Sequence, residues 1–170
     1  MALSLREHGH YLPSAGARPH PRPSENACVD RVYAALSPVY DLLFGAPLQP
    51  GRVAAMAALG IRPGDRVLEI GTGTGITAPM YPRDCRVTAV DLSSSMLARA
   101  RIRVARAGLT HVRLLAGDAA RLRFADGAFD RVYAPYVVSV VPDPPQVARE
   151  MRRVCRPGGT IVILNHFRTA

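Results

Sequence analysis

Residues 65–75 have the sequence DRVLEIGTGTG, and this stretch decides the fold of the chain. Val67, Leu68 and Ile70 supply the apolar run that is typical of a strand buried in a parallel sheet. The three glycines that follow let the backbone turn tightly and approach a ligand, because no Cβ is in the way. An apolar strand that enters a glycine loop through an acidic residue, Glu69, indicates a site for a nucleotide-type ligand.

The spacing of the glycines argues against a dinucleotide. The loop has the pattern G-x-G-x-G, whereas the fingerprint G-x-G-x-x-G needs a further glycine at position 76, where this chain has Ile76. NAD is therefore disfavoured. Taken singly, each glycine is as compatible with an ordinary strand-to-helix turn as with a ligand site. The identity of the ligand therefore depends on the acidic residues that follow.

Two further acidic residues come where strands are expected to end. Asp91 closes an apolar stretch and lies 20 residues after Gly71, the distance at which this architecture places a carboxylate on ribose hydroxyls. Asp118 follows another apolar stretch within a Gly-Asp-Ala sequence, where it could accept a hydrogen bond from an exocyclic amine. With Glu69, three acids then stand at three strand ends, which favours an adenosine ligand.

The acid and the glycine loop together, E-I-G-T-G-T-G from Glu69 to Gly75, resemble the E/D-x-G-x-G-x-G motif of the class I S-adenosylmethionine-dependent methyltransferases. The resemblance covers roughly residues 25–167. It implies an α/β fold, a Rossmann-like parallel sheet sandwiched by helices. It also implies S-adenosyl-L-methionine as cofactor, with the loop and Glu69 beside its methionine half, Asp91 beside the ribose and Asp118 beside the adenine.

The loop is also expected to open a helix whose N-terminal N–H groups help to hold the cofactor's carboxylate. The cofactor-binding residues that the resemblance implies are Tyr40, Glu69, Gly71, Thr72, Gly73, Gly75, Asp91, Leu92, Met96, Asp118, Ala119 and Pro135.

Three short strings resemble the small bacterial phosphatidylethanolamine N-methyltransferases: YDLLFG at 40–45, APYVVSVVPDP at 134–144 and NHF at 165–167. This narrower resemblance implies methyl transfer to the amine of phosphatidylethanolamine and its methylated intermediates at the membrane surface, towards phosphatidylcholine. Tyr136 and His166, each just past the carboxyl end of a strand, are the candidate catalytic residues that would hold the head group. Lone tyrosines in such positions more often serve packing.

Two alternatives stay open. The chain could be a class I methyltransferase acting on another small amphiphile, such as a quinone precursor. It could also be a module that binds an adenosine ligand without catalysis, because the chain ends early for the class.

Composition favours one cytosolic domain. With 170 residues and 48% hydrophobic content, the chain can bury a single core. No apolar run approaches the ~18 residues of a membrane span, and the N-terminus does not resemble a signal peptide. Cys28, Cys85 and Cys155 are few and far apart, so we expect reduced thiols and neither disulfides nor a metal site. We expect a cytoplasmic protein, peripherally attached to the inner face of the membrane.

The net charge of +9 comes with 22 basic residues, all of them arginine. Coding bias in a GC-rich genome explains the absence of lysine more simply than selection does. The positive field would still draw the protein to phosphate-bearing surfaces. Because no nucleic-acid-binding motif is present, the expected partners are a phospholipid substrate and an anionic membrane surface, without nucleic acid or metal.

Patterning divides the chain into three parts. Residues 1–23 are expected to be a disordered basic arm, residues 24–46 an amphipathic lid or membrane-contact segment, and residues 47–170 the cofactor-binding core. Within residues 47–170, segments with the pattern of strands alternate with segments with the pattern of helices, which predicts a parallel sheet with crossover helices. The predicted helices are 49–59, 75–81, 94–106 and 144–154, and the predicted strands are 66–70, 86–90, 112–115, 129–134 and 160–165.

Arginine stripes follow two of these helices and are expected to be solvated faces: Arg99, Arg103 and Arg106, then Arg149, Arg152, Arg153 and Arg156. The class I fold normally continues beyond its fifth strand with a helix and a β-hairpin, but only six residues follow Leu164. We therefore expect a fold that lacks the C-terminal strands, with an apolar edge that either a longer natural chain or another molecule covers. The longer chain is the favoured explanation.

Overall fold

The computed structural model describes residues 47–165. The predictions for the arm 1–23 and the segment 24–46, and those for Tyr40 and His166, lie outside the described residues.

A five-stranded parallel sheet forms the centre of the fold. Its strands are β1 (Arg66–Ile70), β2 (Arg86–Asp91), β3 (Val112–Ala116), β4 (Phe129–Pro135) and β5 (Cys155–Leu164), in the spatial order β3-β2-β1-β4-β5. The chain runs outward from β1 through β2 to β3 and then crosses to the other side of β1. The strand order therefore reverses between β1 and β4, and in open α/β sheets ligands bind beyond the carboxyl ends of the strands at such a point.

Within the described part of the chain, three α-helices cover the two faces of the sheet: α1 (Gln49–Leu59), α2 (Ser94–Arg106) and α3 (Pro144–Val154). The Ser93 hydroxyl caps α2 by accepting from the Met96 amide, and the Asp143 carboxylate caps α3 by accepting from the Gln146 amide. The α1 helix ends at Gly60 in the left-handed conformation.

Alternate residues of β1 enter two separate cores. Leu68 and Ile70 pack in one cluster with the buried face of α3, and Val67 packs in the other with the buried face of α1. Since strand residues two apart share a face, Glu69 lies on the same side as Val67. The α1-side cluster thus contains a fully buried carboxyl group.

One predicted helix is nearly absent. Residues 75–81 were expected to be helical, but only Ala78–Met80 form a single 3-10 turn. Pro82 is the physical reason, because a proline disfavours helical backbone in the residue before it, and Tyr81 is extended at φ −75° and ψ 133°. The expectation that the glycine loop opens a helix is therefore wrong, whereas a contact between N–H groups of this loop and the cofactor's carboxylate stays a prediction.

The last strand also differs from its prediction. It was expected at 160–165, but β5 begins directly after α3 at Cys155. A register irregularity beside Phe129 and Arg131, with Gly158 at φ 74°, lets the chain reverse without a longer loop. Among residues 47–165, β5 is an edge strand, and Ile161 and Ile163 are 39% and 45% exposed. That something else covers this edge stays a prediction.

Ion pairs tie together the amino ends of the strands. Arg131 of β4 is 5% exposed and lies 3.0 Å from the Asp65 carboxylate. Asp130 accepts from both Arg66 and Arg156. The expected solvated stripe from Arg149 to Arg156 is wrong for two of its members: Arg156, which lies in β5, is paired with Asp130, and Arg153 donates to the Leu122 and Phe124 carbonyls.

No helix among the described residues combines the length and the apolar character that crossing a bilayer requires.

Candidate functional site

The predicted site residues follow the carboxyl ends of four strands. Gly71 follows β1, Asp118 lies two residues beyond β3, Tyr136 follows β4, and Asp91 is the last residue of β2. The backbone couples these ends directly: the Gly71 amide donates to the Val90 carbonyl at 2.8 Å, and the Gly117 amide donates to the Asp91 carbonyl at 3.0 Å. The fold thus gathers residues that are up to 65 positions apart along the chain at one edge of the sheet.

The three glycines of the loop have different neighbours, although all have positive φ. A Cβ on Gly71 would lie 2.6 Å from Val137 Cβ, and a Cβ on Gly75 would lie 3.1 Å from Ala100 Cβ. A Cβ on Gly73, whose φ is 55°, would meet no atom within 4 Å. Gly71 and Gly75 are therefore required by packing, whereas the space above Gly73 is open to a ligand.

Asp91 braces the glycine loop. Its Oδ2 accepts from the Gly73 amide at 2.7 Å, and its Oδ1 accepts from the Ser93 amide at 2.9 Å. These bonds leave lone pairs on each carboxylate oxygen, so the same side chain can still accept from ribose hydroxyls. That role stays a prediction.

Glu69 is the most unusual group of the site. Its Oε2 accepts from the Tyr81 hydroxyl at 2.9 Å, but its Oε1 is buried and has no hydrogen-bond partner among the described residues. Burial raises the pKa of Glu69 from 4.5 to about 7, and the hydrogen bond from Tyr81 is the strongest influence in the opposite direction. Thr72 Oγ1 is likewise buried and unpaired within residues 47–165.

Buried polar atoms without partners are rare in native proteins and call for an explanation. Glu69 Oε1 and Thr72 Oγ1 lie beside the glycine loop and are both acceptors that an ammonium group would satisfy. The methionine half of S-adenosylmethionine carries such a group. The residues present therefore fit the expected cofactor.

Three further side chains lie beside this site, although no pattern in the sequence indicated them. Tyr133 is fully buried opposite Glu69 in the β1–β4 register, and its hydroxyl has no hydrogen-bond partner among the described residues. Burial, and then the Glu69 charge, raise the pKa of Tyr133. Arg52 of α1 is 5% exposed, and its guanidinium carbon lies 5.4 Å from the centre of the Tyr136 ring. Tyr81 is the third.

Tyr136 has a strained backbone. Its φ of 57° is unusual for a bulky residue and is held by a 2.6 Å hydrogen bond from its amide to the Leu164 carbonyl. Its hydroxyl is placed against α1, 3.1 Å from where a Cβ on Gly51 would lie. Backbone strain of this kind is concentrated at functional sites.

The remaining predicted residues line the same edge at different depths. Leu92 is 50% exposed and Met96 only 3% exposed, and Pro135 is buried at the end of β4. Asp118 accepts from the Ala120 amide at 2.8 Å, which shapes the turn that carries Ala119. Their contacts with a cofactor stay predictions. Among the described residues, no group of three or more His, Cys, Asp and Glu side chains could hold a metal ion.

This sheet and loop are those of a known family. A family model described as "Methyltransferase domain" matches residues 68–163, more than half of the chain. The chain belongs to this family. The predicted class I methyltransferase fold is confirmed, and with it S-adenosylmethionine as the cofactor of that fold.

Two relatives of the chain are named as methyltransferases. The chain is 48% identical to a phosphatidylethanolamine N-methyltransferase of Cereibacter sphaeroides over 130 residues, which are 76% of this chain and 64% of that protein. It is 40% identical to a demethylmenaquinone methyltransferase of Mycolicibacterium paratuberculosis over 113 residues, 66% of this chain and 46% of that protein. The chain thus spans less than two thirds of the length of each of these relatives.

A solved structure supports the same fold. It is a phosphoethanolamine N-methyltransferase of Haemonchus contortus in complex with S-adenosyl-L-methionine, and it superposes with a TM-score of 0.64 at 28% identity. The match covers 73% of this chain and 31% of that one.

Gly73→Ala should weaken cofactor binding, because the new methyl group enters the open space above the loop. Gly64→Ala is the matched control: Gly64 also has positive φ with no atom near its Cβ position, but it lies before β1. Both variants should lose about 1–2 kcal/mol of stability from backbone strain. Only Gly73→Ala should lose affinity, by about tenfold or more. Chemical unfolding and calorimetry measure the two effects, and equal affinities would contradict a ligand at Gly73.

Glu69→Gln should change how stability depends on pH. Because the pKa of Glu69 is raised to about 7, its stabilising contribution in the cofactor-free protein is present below pH 4.5 and is lost as the pH rises through 7. The variant should therefore exceed the wild type in free energy of unfolding by about 3 kcal/mol at pH 8 and by little at pH 4.5. Urea unfolding across this range tests it; parallel curves would refute a raised pKa.

Proposed function

We propose that this protein transfers methyl groups from S-adenosylmethionine to the amine of phosphatidylethanolamine and its methylated intermediates at a membrane surface, towards phosphatidylcholine. The observation that carries the proposal is the 48% identity with a phosphatidylethanolamine N-methyltransferase, which extends over 76% of this chain. The site supports it, because the unpaired acceptors beside an open glycine loop suit the methyl donor.

The cofactor, when bound, supplies a methyl group on a sulfonium that is already activated for displacement. The protein's task is then to align donor and acceptor. Glu69 and Thr72 would hold the donor's ammonium group, Asp91 its ribose and Asp118 its adenine. Gly73 leaves the space in which the backbone and the donor meet.

The acceptor amine must lose its proton before it can react. An ethanolamine head group resembles lysine, with a pKa of ~10.4, so only about one molecule in ~10³ is neutral at pH 7. Transfer into an apolar site favours the neutral amine. The Arg52 guanidinium, next to the Tyr136 ring, disfavours a second cation nearby and acts in the same direction. Tyr136 would contact the head group.

A basic groove on α2 supports contact with a phosphate-bearing surface. The groove has a volume of about 420 Å³ and is lined by Thr74, Arg99, Ile102, Arg103, Arg106 and Ala107. Ile102 is 52% exposed among these arginines. An apolar side chain between guanidinium groups suits a bilayer interface, where lipid phosphates and acyl chains meet. The peripheral attachment that we propose would use this face as well as residues 24–46.

A quinone precursor is the second candidate acceptor, and the 40% identity with a demethylmenaquinone methyltransferase favours it specifically. Turnover with labelled cofactor on liposomes that contain phosphatidylethanolamine or demethylmenaquinone separates the two. Label in methylated ethanolamine lipids supports the proposal, and label in the quinone alone would replace it with the second candidate. Cofactor binding without transfer to either would indicate a binding module.

Asp91→Ala should weaken S-adenosylmethionine binding by about 1–3 kcal/mol, because the ribose hydroxyls lose a charged acceptor. The same substitution removes the brace on the Gly73 amide, so Asp91→Asn is the control that keeps an acceptor for this amide and removes the charge. Calorimetry should give the asparagine variant an intermediate affinity. An unchanged dissociation constant in Asp91→Ala would exclude the ribose assignment.

Arg99→Gln with Arg106→Gln should reduce vesicle binding. Sedimentation with vesicles of phosphatidylcholine and phosphatidylglycerol should show binding that rises with the anionic fraction and falls with salt. Arg149→Gln with Arg152→Gln removes the same charge from exposed positions on α3. This control should reduce vesicle binding less. Equal losses in the two double variants would show that net charge, and not the groove on α2, governs attachment.

A further inference from the structure

The carboxyl group of Glu69 is held by one specific neighbour. Tyr81 follows the 3-10 turn, is 3% exposed, and donates from its hydroxyl to Glu69 Oε2 at 2.9 Å. Its extended backbone, imposed by Pro82, ends the turn at this point. Pro82 thus ends the turn, and Tyr81, in the extended backbone that precedes it, donates a hydrogen bond to the carboxyl group of Glu69.

A second tyrosine lies close to the same acid without bonding to it. Tyr133 pairs with Glu69 across β1 and β4, and both side chains belong to the α1 face of the sheet. Its hydroxyl is buried without a hydrogen-bond partner among the described residues. Two buried tyrosine hydroxyls thus neighbour one carboxyl group, and only Tyr81 is bonded to it.

We propose that Tyr81 is a positioning residue for cofactor binding: its hydrogen bond to Oε2 favours the carboxylate form of Glu69 and leaves Oε1 to receive the ammonium group of the methyl donor. The inference rests on the proposed use of S-adenosylmethionine. Removing this one hydroxyl should shift the pH at which the donor binds, in addition to any loss of packing.

The charges around Glu69 determine the direction of that shift. Burial and the Asp91 carboxylate raise the pKa of Glu69, and the Tyr81 hydroxyl is the strongest of the groups that lower it. From β4, Tyr133 faces the acid, and Arg52 of α1 acts on Tyr133. Cys85 lies beyond Tyr81. Without the Tyr81 hydroxyl the carboxyl group keeps its proton to higher pH, and the neutral form lacks the negative charge that makes its hydrogen bond to an ammonium group strong.

Affinity should therefore fall as the pH falls below about 7, where Glu69 takes up its proton. Tyr81→Phe should move the midpoint of this acidic limb upward by about one pH unit, which weakens binding at pH 7 by about fivefold. Tyr133→Phe is the matched control, because it removes a hydroxyl from the same buried neighbourhood without removing a bond to Glu69. Its midpoint should stay in place.

Calorimetry from pH 5.5 to 9 with two ligands provides the test, because this range includes the expected midpoints of both the wild type and Tyr81→Phe. S-adenosylhomocysteine carries the ammonium group and should show the acidic limb, and methylthioadenosine lacks that group and should bind equally at every pH and to both variants. Calorimetry in buffers of different ionisation enthalpy should also show proton release on binding of the first ligand below pH 7. Thermal melts establish that each variant is folded.

Equal midpoints in the wild type and Tyr81→Phe, or equal shifts in both tyrosine variants, would overturn the inference and leave Tyr81 a packing residue. Should Tyr81→Phe fail to fold, Glu69→Gln decides: the acidic limb should vanish, and its persistence would exclude Glu69 as its origin. Failure of both ligands to bind the wild type would instead contradict the proposed function.

Discussion

The burial of the Glu69 carboxyl group is the constraint on which this structure depends. A carboxyl group in an apolar cluster costs free energy unless it is paired or protonated, and here one oxygen is bonded to Tyr81 while the other has no partner within residues 47–165. The fold tolerates this because packing elsewhere in the α1-side cluster is apolar. The free energy that the protein loses by burying this carboxyl group would be regained on binding of a cation. A binding site can therefore destabilise the free protein and still be selective for its ligand.

The two ends of the sheet serve different purposes. At the amino ends, arginines pair with acids, as in Arg131 with Asp65 and Arg66 with Asp130, and these contacts link neighbouring strands. At the carboxyl ends, the acids bond to backbone amides instead, as Asp91 does with Gly73. Paired charges at the amino ends thus link neighbouring strands, whereas Asp91 at a carboxyl end shapes the loops that follow the strands.

Tyr136 lies between the end of β4 and helix α1. It follows β4, which carries Tyr133 beside Glu69, and its ring lies under the Arg52 guanidinium of α1. Its positive φ lies directly after β4, which is the neighbour of β1 in the sheet. Glu69 and the residue that we propose to contact the acceptor therefore belong to adjacent strands and their ends.

The sequence by itself determined the sheet, the order of elements and the acids at the strand ends, because apolar period, glycine spacing and the distance from Gly71 to Asp91 are local properties of the chain. It was wrong on helix 75–81, where Pro82 overrode the apparent period, and on the solvated stripe that included Arg153. Only the tertiary structure decided which groups surround Glu69. Tyr81, Tyr133 and Arg52 come from three separate elements, and no spacing along the chain encodes that they meet. The same holds for the raised pKa of Glu69, because burial is a property of the assembled core and not of the motif.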